Sequence, residues 1–198
     1  MSPFRLRRLA LSLIALAFAT GIASEARALT IDCATAGCIG GIYTLDVAET
    51  APNSFVATYT IDTTTAFDVR ATHLVDINFK VATDYTDVTL LSGPSASLGG
   101  GPLSGGGCRG NNDSFICGDL TSSLERGRVY TWRIQFGATA LIDEWHVGAR
   151  YVSPIHRRGW VISESGRSNP IPEPSAALIF GVGMLVASGL VAGSGHID

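Results

Sequence analysis

Hydrophobic and polar side chains alternate one by one through much of the central part of the chain. The pattern recurs over residues 41–47, 54–62, 72–81, 86–91, 129–136, 145–152 and 159–165. Because successive side chains of a β-strand point to opposite faces of a sheet, a period of two predicts strands buried on one face. These segments are also rich in Thr, Val, Ile and aromatic residues, which suit a pleated surface.

The number and spacing of these segments predict an all-β fold, an antiparallel two-sheet sandwich of the jelly-roll-like kind. The apolar faces of the strands are expected to pack against each other and form one core. Trp132 and Trp145 lie on apolar faces, as do Val75 and Ile77, so we expect all four in this core. A stretch rich in Gly, Ser and Pro at 92–113 interrupts the pattern and is expected to be a surface loop.

The first 28 residues are typical of a secretory signal peptide, and we expect them to form a signal helix. Three arginines between residues 5 and 8 precede an apolar run over residues 9–20. The small residues Ala26 and Ala28 then form an A-x-A cleavage site, which predicts that the exported protein begins at Leu29. A permanent N-terminal membrane anchor is the alternative, but it requires a longer apolar run.

All four cysteines lie beyond the signal peptide, at positions 33, 38, 108 and 117. An even number of cysteines in an exported chain predicts two disulfides. Three pairings are possible, and the short, glycine-containing loops favour Cys33–Cys38 and Cys108–Cys117. A zinc site is the alternative, but the C-x4-C and C-x8-C spacings differ from the closer cysteine pairs of most structural zinc sites.

The C-terminal end combines a proline-containing tripeptide with an apolar run. Pro172, Glu173 and Pro174 precede residues 176–192, which carry no charge. Seventeen helical residues rise about 26 Å, close to the ~30 Å of a hydrocarbon core, and the two prolines require the helix to begin after them. The sequence therefore divides into five parts: a signal peptide (1–28), an exported domain (29–165), a linker (166–175), a transmembrane sorting helix (176–192) and a short tail (193–198).

The tripeptide and the apolar helix together resemble a PEP-CTERM sorting domain over residues 170–192. The resemblance implies that an exosortase, a membrane-embedded transpeptidase-like enzyme, recognises the tripeptide while the helix holds the chain in the membrane. It also implies a Gram-negative bacterium that makes exopolysaccharide, and a final position at the cell surface or in the matrix. The family pattern closes with a cluster of arginines, whereas this chain ends Gly-Ser-Gly-His-Ile-Asp. A plain C-terminal anchor is the alternative.

The residues that carry chemistry form no pattern typical of catalysis. The metalloprotease motif H-E-x-x-H and the G-x-S-x-G elbow are both absent, and Asp143 and Glu144, as neighbours on a strand, would point apart. The chain has 14 Lys and Arg against 17 Asp and Glu, with a single lysine, so a nucleic-acid surface is not expected. We expect no cofactor and no enzymatic activity.

Two binding hypotheses follow from the remaining polar and aromatic residues. Trp160, His146 and Arg150 are the candidates for a ligand surface, in which an exposed aromatic ring would stack on a sugar. Loop oxygens could bind calcium, although turn formation also explains them; they belong to Asp84, Asp87, Asn111, Asn112 and Asp113. We expect a surface or matrix protein of structural or interaction type. A module that binds exopolysaccharide is the alternative, and a glycoside-active enzyme is less favoured.

Overall fold

A computed structural model describes residues 26–33, 40–65, 71–109, 114–153 and 160–170. Within these ranges the regular elements are all β-strands, and every strand pair is antiparallel. The predicted all-β, antiparallel class is confirmed. The strands are β1 (Ala26–Asp32), β2 (Ile42–Ala51), β3 (Ser54–Asp62), β4 (His73–Ala82), β5 (Thr86–Ser92), β6 (Ala96–Gly100), β7 (Leu103–Ser104), β8 (Gly107–Cys108), β9 (Ile116–Glu125), β10 (Val129–Gly137), β11 (Leu141–Val152), β12 (Trp160–Arg167) and β13 (Asn169–Pro170).

Two large sheets form a β-sandwich. The first sheet has the strand order β13-β1-β2-β3-β10-β5, and the second has the order β12-β11-β4-β9-β6. The short strands β7 and β8 pair only with each other and form a small hairpin. The chain crosses between the two large sheets several times, and the crossings from β5 to β6 and from β12 to β13 join edge strands, so the backbone connects both lateral edges of the sandwich.

The core consists of the inward side chains of the two large sheets, as the alternating pattern predicts. Trp132 and Trp145 are both fully buried, which confirms their predicted core positions. The rings of Tyr59 and Phe79 meet edge to face with their centroids 6.0 Å apart, and they come from different sheets. The apolar and aromatic side chains with no exposed surface include Tyr43, Leu45, Val47, Ala57, Tyr59, Ile61, Phe79, Val81, Ala82, Trp132, Ile134, Trp145, Val147 and Ala149.

Buried tyrosine hydroxyls link the two sheets through the core. The hydroxyls of Tyr43 and Tyr151 share a hydrogen bond of 2.9 Å, and Tyr59 donates to the backbone oxygen of Gly148 at 3.1 Å. Burial raises the pKa of all three tyrosines, so the hydroxyls stay protonated. Each sheet is thereby aligned against the other by polar contacts as well as by apolar packing.

The stretch at 92–113 is not a simple loop, and this part of the prediction was wrong. It contains β6, which pairs with β9 along the edge of the second sheet, and the β7–β8 hairpin. The indole of Trp132 donates to the backbone oxygen of Pro94 at 3.0 Å, and the backbone N–H of Thr121 donates to Ser95 at 3.0 Å. Backbone pairing and these two hydrogen bonds hold the segment in place. Its side chains are mostly too small to show the alternation of hydrophobic and polar residues that predicts a strand.

The inward face of β4 also differs from the prediction. Leu74 and Ile77 are both buried although they are three residues apart, because the register with β9 shifts between Leu74 and Asp76. The irregularity turns Val75 away from the core, where the alternation had placed it, and Val75 is only half-buried.

The C-terminal end of the domain lies beyond the predicted boundary at residue 165. β12 continues to Arg167, and β13 pairs with Arg27 and Ala28 of β1. The backbone N–H of Ser168 donates to the oxygen of Asp143 at 3.0 Å. Residues 166–170 therefore belong to the sandwich rather than to a linker, because their backbone groups are paired even though their side chains are polar.

Candidate functional site

The outer face of the second sheet carries polar side chains, two of which, Asp76 and Asn78, are buried. The hairpin lies over this face and contacts β4, β9, β11 and β12. A disulfide between Cys108 and Cys117 attaches the hairpin to β9, with the two Cα atoms 5.7 Å apart, which confirms this predicted pair. Cys33 is buried and also disulfide-bonded, while its expected partner Cys38 lies outside the described residues.

A buried carboxyl group, Asp76, lies beneath the hairpin beside the exposed carboxyl of Asp119. Asp76 of β4 is 1% exposed and hydrogen-bonds the carboxyl of Asp119, its neighbour on β9. Burial, followed by the contact with Asp119, raises the pKa of Asp76 to about 6, although Arg150 opposes the shift. Asp76 therefore binds a proton under mildly acidic conditions.

Arg150 is the counterion of this carboxyl pair and not part of an open ligand surface. Its Nε donates to Asp76, and its side chain is 16% exposed. Gly107 of the hairpin packs directly on the pair: a Cβ there would lie 3.3 Å from both Arg150 Nη2 and Asp119 Oδ1, and its φ of 101° also favours glycine. The hairpin can approach this closely because it presents backbone and no side chain.

Asn78 continues the buried polar row along β4. It is 2% exposed, and its Oδ1 has no hydrogen-bond partner among the described residues. The side chain packs over Gly148 of β11, where a Cβ would be 2.1 Å from that oxygen. The alternation along β4 is a partial signal for this row, because it sets Asp76 and Asn78 opposite Ile77 and Phe79. By itself, however, it indicates that these polar residues face solvent rather than that they are buried.

His146 lies farther along the same face of β11, as its position opposite the apolar residues predicted. Its two ring nitrogens contact the hydroxyls of Ser165 at 2.9 Å and Ser163 at 2.8 Å. The edge of its ring meets Phe115 with centroids 5.4 Å apart, and the Nζ of Lys80 lies 5.4 Å from the Phe115 centroid. We call these five residues the His146 patch.

The chemistry of the His146 patch is that of a hydrogen-bonding surface. Burial lowers the pKa of His146, so its imidazole is neutral at pH 7 and offers one donor and one acceptor. A serine–histidine contact of 2.8 Å has the length of a nucleophile–base pair, but the group that holds the second nitrogen is the hydroxyl of Ser165 and not a carboxylate. The patch therefore combines hydroxyls, an imidazole, an ammonium group and a half-buried aromatic ring.

Of the five loop residues that could bind calcium, the structure describes only Asp84 and Asp87, and no metal-like group among the described residues includes either of them. Asp84 accepts hydrogen bonds from the backbone and hydroxyl of Thr139, and Asp87 is an exposed residue with a φ of 52°. Residues 111–113 lie outside the described ranges. The one metal-like group of acidic, histidine and cysteine side chains among the described residues is Asp76, Asp119 and Cys108, and the sulfur of Cys108 is already in the disulfide.

The remaining predicted residues lie wholly or partly outside the described residues. Trp160 begins β12, but its side chain lies outside what is described, as do the tripeptide 172–174 and the apolar run 176–192. None of the described segments is a helix of a length and hydropathy that would cross a membrane.

Comparisons with known proteins give no family. No family model matches the chain, and no curated protein matches it. A solved structure described as "pH-induced modulation of Streptococcus parasanguinis adhesion by Fap1 fimbriae" aligns over 65% of this chain and 76% of that chain. The identity is 12% and the TM-score is 0.36, so the match supports no conclusion about this protein.

Proposed function

We propose that this chain is an exported β-sandwich protein of the bacterial cell surface or matrix, sorted through Pro172-Glu173-Pro174 by an exosortase. The described cysteines are all in disulfides, which fits an oxidising compartment outside the cytoplasm. The role of the domain is structural or interactive and not enzymatic. The chain passes through the membrane only transiently, held by residues 176–192 until it is processed.

The observation that carries this proposal is the position of the last strand among the described residues. β13 (Asn169–Pro170) pairs with β1, so the chain is still part of the sandwich at Pro170. The tripeptide begins two residues later, at Pro172. A folded unit followed this closely by a proline-flanked glutamate and a charge-free run has the layout of a passenger domain followed by a sorting signal.

We also propose that the sandwich is jelly-roll-like. Two strands from later in the chain lie between strands from earlier in the chain: β9 lies between β4 and β6, and β10 lies between β3 and β5. Rolling a long antiparallel ribbon onto itself gives this interleaving. Such a domain presents broad outer sheet faces, and the His146 patch occupies one of them.

Replacing Pro172-Glu173-Pro174 by three alanines is the direct test of sorting. Membrane insertion should be unchanged, since the apolar run is untouched, but processing should stop and the precursor should accumulate in the membrane fraction. Ser175→Ala is the matched control, because it lies beside the tripeptide and leaves it intact. Fractionation and immunoblotting decide; a tri-alanine variant that is processed and released like the original would reduce the tripeptide to a helix breaker.

A module that binds exopolysaccharide is the second candidate, and the His146 patch supports it. Phe115 offers a ring, while Lys80 and the hydroxyls of the two serines, which His146 holds in place, offer the hydrogen bonds that sugar hydroxyls require. We expect Phe115→Ala to weaken retention on a gel of the producing organism's exopolysaccharide by about tenfold, the loss of ~1.4 kcal/mol of binding free energy. Val129→Ala, at an exposed apolar residue on the other sheet, is the control. Equal retention of both variants would remove this candidate.

A further inference from the structure

The residues that precede the predicted start at Leu29 are part of the folded domain. Ala26, Arg27 and Ala28 form the first half of β1 and pair with Ala48, Val47 and Asp46 of β2. On their other side, Arg27 and Ala28 pair with Pro170 and Asn169, the two residues of β13. In the described structure this short stretch is the only strand partner of β13.

Arg27 also connects this strand to the second sheet. Its Nη1 donates to Oδ1 of Asp143 on β11 at 3.2 Å, and its side chain is 21% exposed. The backbone oxygen of the same Asp143 accepts from the N–H and the hydroxyl of Ser168, the residue between β12 and β13. Residues 26–28 therefore pair with β13 in the first sheet and, through Arg27, contact β11 of the second sheet.

Cleavage after Ala28 would remove this arrangement and leave a charge in its place. The new ammonium group would belong to Leu29, which is 5% exposed and packs in the core. Placing a charged terminus on a residue whose side chain is buried in a strand costs free energy, because the ammonium loses part of its water. β13 would lose both of its ladder pairs as well.

We propose that the leader is instead removed after Ala23, so that the exported protein begins at Ser24. Gly21 and Ala23 place small residues three and one positions before this bond, immediately after the apolar run 9–20. A signal peptidase would hydrolyse the Ala23–Ser24 peptide bond with one water molecule, leaving a carboxylate on Ala23 and an ammonium group on Ser24. Two residues would then precede β1, and the whole strand would remain in the exported protein.

This inference rests on the proposed export, and mass spectrometry of the N-terminal peptide of the exported full chain separates the two. A peptide that begins at Ser24 supports the inference. A peptide that begins at Leu29 overturns the inference and leaves export standing. A chain that still begins at Met1 in every fraction overturns both.

Two matched variants sharpen the test by changing the residue before each bond. Ala23→Leu should abolish processing and leave only precursor on an immunoblot, since a large side chain replaces the required small one. Ala28→Leu should be processed to the same extent as the original chain, because in this proposal Ala28 is a strand residue and not a cleavage residue. The opposite result, in which Ala28→Leu accumulates precursor and Ala23→Leu is processed, would overturn the proposal.

Discussion

Single residues on the outer face of the second sheet have environments that the sequence pattern could not indicate. Asp76 occupies a polar position of an alternating strand, and the alternation predicts that it faces solvent. In the structure it is buried because the hairpin, attached through Cys108, covers it. The residue types that surround it, Asp119 and Arg150, come from strands far apart in sequence. Only the topology brings a second carboxyl and a guanidinium to it.

The buried carboxyl of Asp76, next to the exposed carboxyl of Asp119, should make stability depend on pH. The pKa of Asp76 is raised to about 6 in the folded protein, against ~3.9 in an unfolded chain. The folded state therefore holds the proton more tightly, and this contribution to stability is full below pH ~4 and is lost as the pH rises through about 6. The shift corresponds to a change on the order of 2–3 kcal/mol.

Asp119→Asn tests this effect by removing the second carboxyl while Arg150 still faces Asp76. The pKa of Asp76 should fall, and the decline in unfolding free energy between pH ~4 and ~7 should become smaller, as measured by urea titration at each pH. Asp87→Asn is the control, since it removes one negative charge at an exposed residue whose left-handed φ asparagine tolerates. A decline in Asp119→Asn as steep as in the original chain would contradict the assignment.

At the level of strands, the alternating period predicted those elements that have one buried and one solvent face. β2, β3 and β10 alternate regularly in burial, and all three were expected from the sequence. The period fails under the hairpin, where both faces of a strand are covered. Residues 76–79, 116–118 and 147–149 are consecutively buried for that reason. A sequence shows the preference of each side chain, but it does not show that a separate hairpin covers the outer face.

Edge strands were missed for a different physical reason. β6 and β13 consist mainly of small or polar residues, and they are held by backbone hydrogen bonds to β9 and β1. Side-chain patterns carry no information about such pairing, because every residue except proline has the same backbone donor and acceptor.

The candidate surface was predicted only in part, for a related reason. His146 was placed on the correct face of its strand, whereas Lys80, Phe115 and the serines of the patch join it only through strand pairing.

For the whole molecule, the two ends of the domain lie side by side. β1 and β13 are neighbours in the first sheet, so a leader and a sorting segment would emerge from the same edge of the sandwich. A domain built in this way can be held at the membrane from either end without rearranging its core. In the proposed sorting, processing would depend on how well the C-terminal segment stays in the bilayer.

Charge at the far end of that segment should control its retention. Residues 176–192 are of marginal length for a span, and no Lys or Arg follows them. Adding three arginines after Ala192 should increase the membrane-bound precursor that is available for processing, because moving these charges across the bilayer is costly, ~3 kcal/mol for each at the centre of a span. Three serines at the same place are the matched control, since they lengthen the tail without charge. Immunoblots of membrane and medium fractions should show more membrane-bound precursor and less unprocessed protein in the medium for the arginine variant alone. Identical fractions for the arginine and serine variants would mean that the apolar run retains the chain without help from flanking charge.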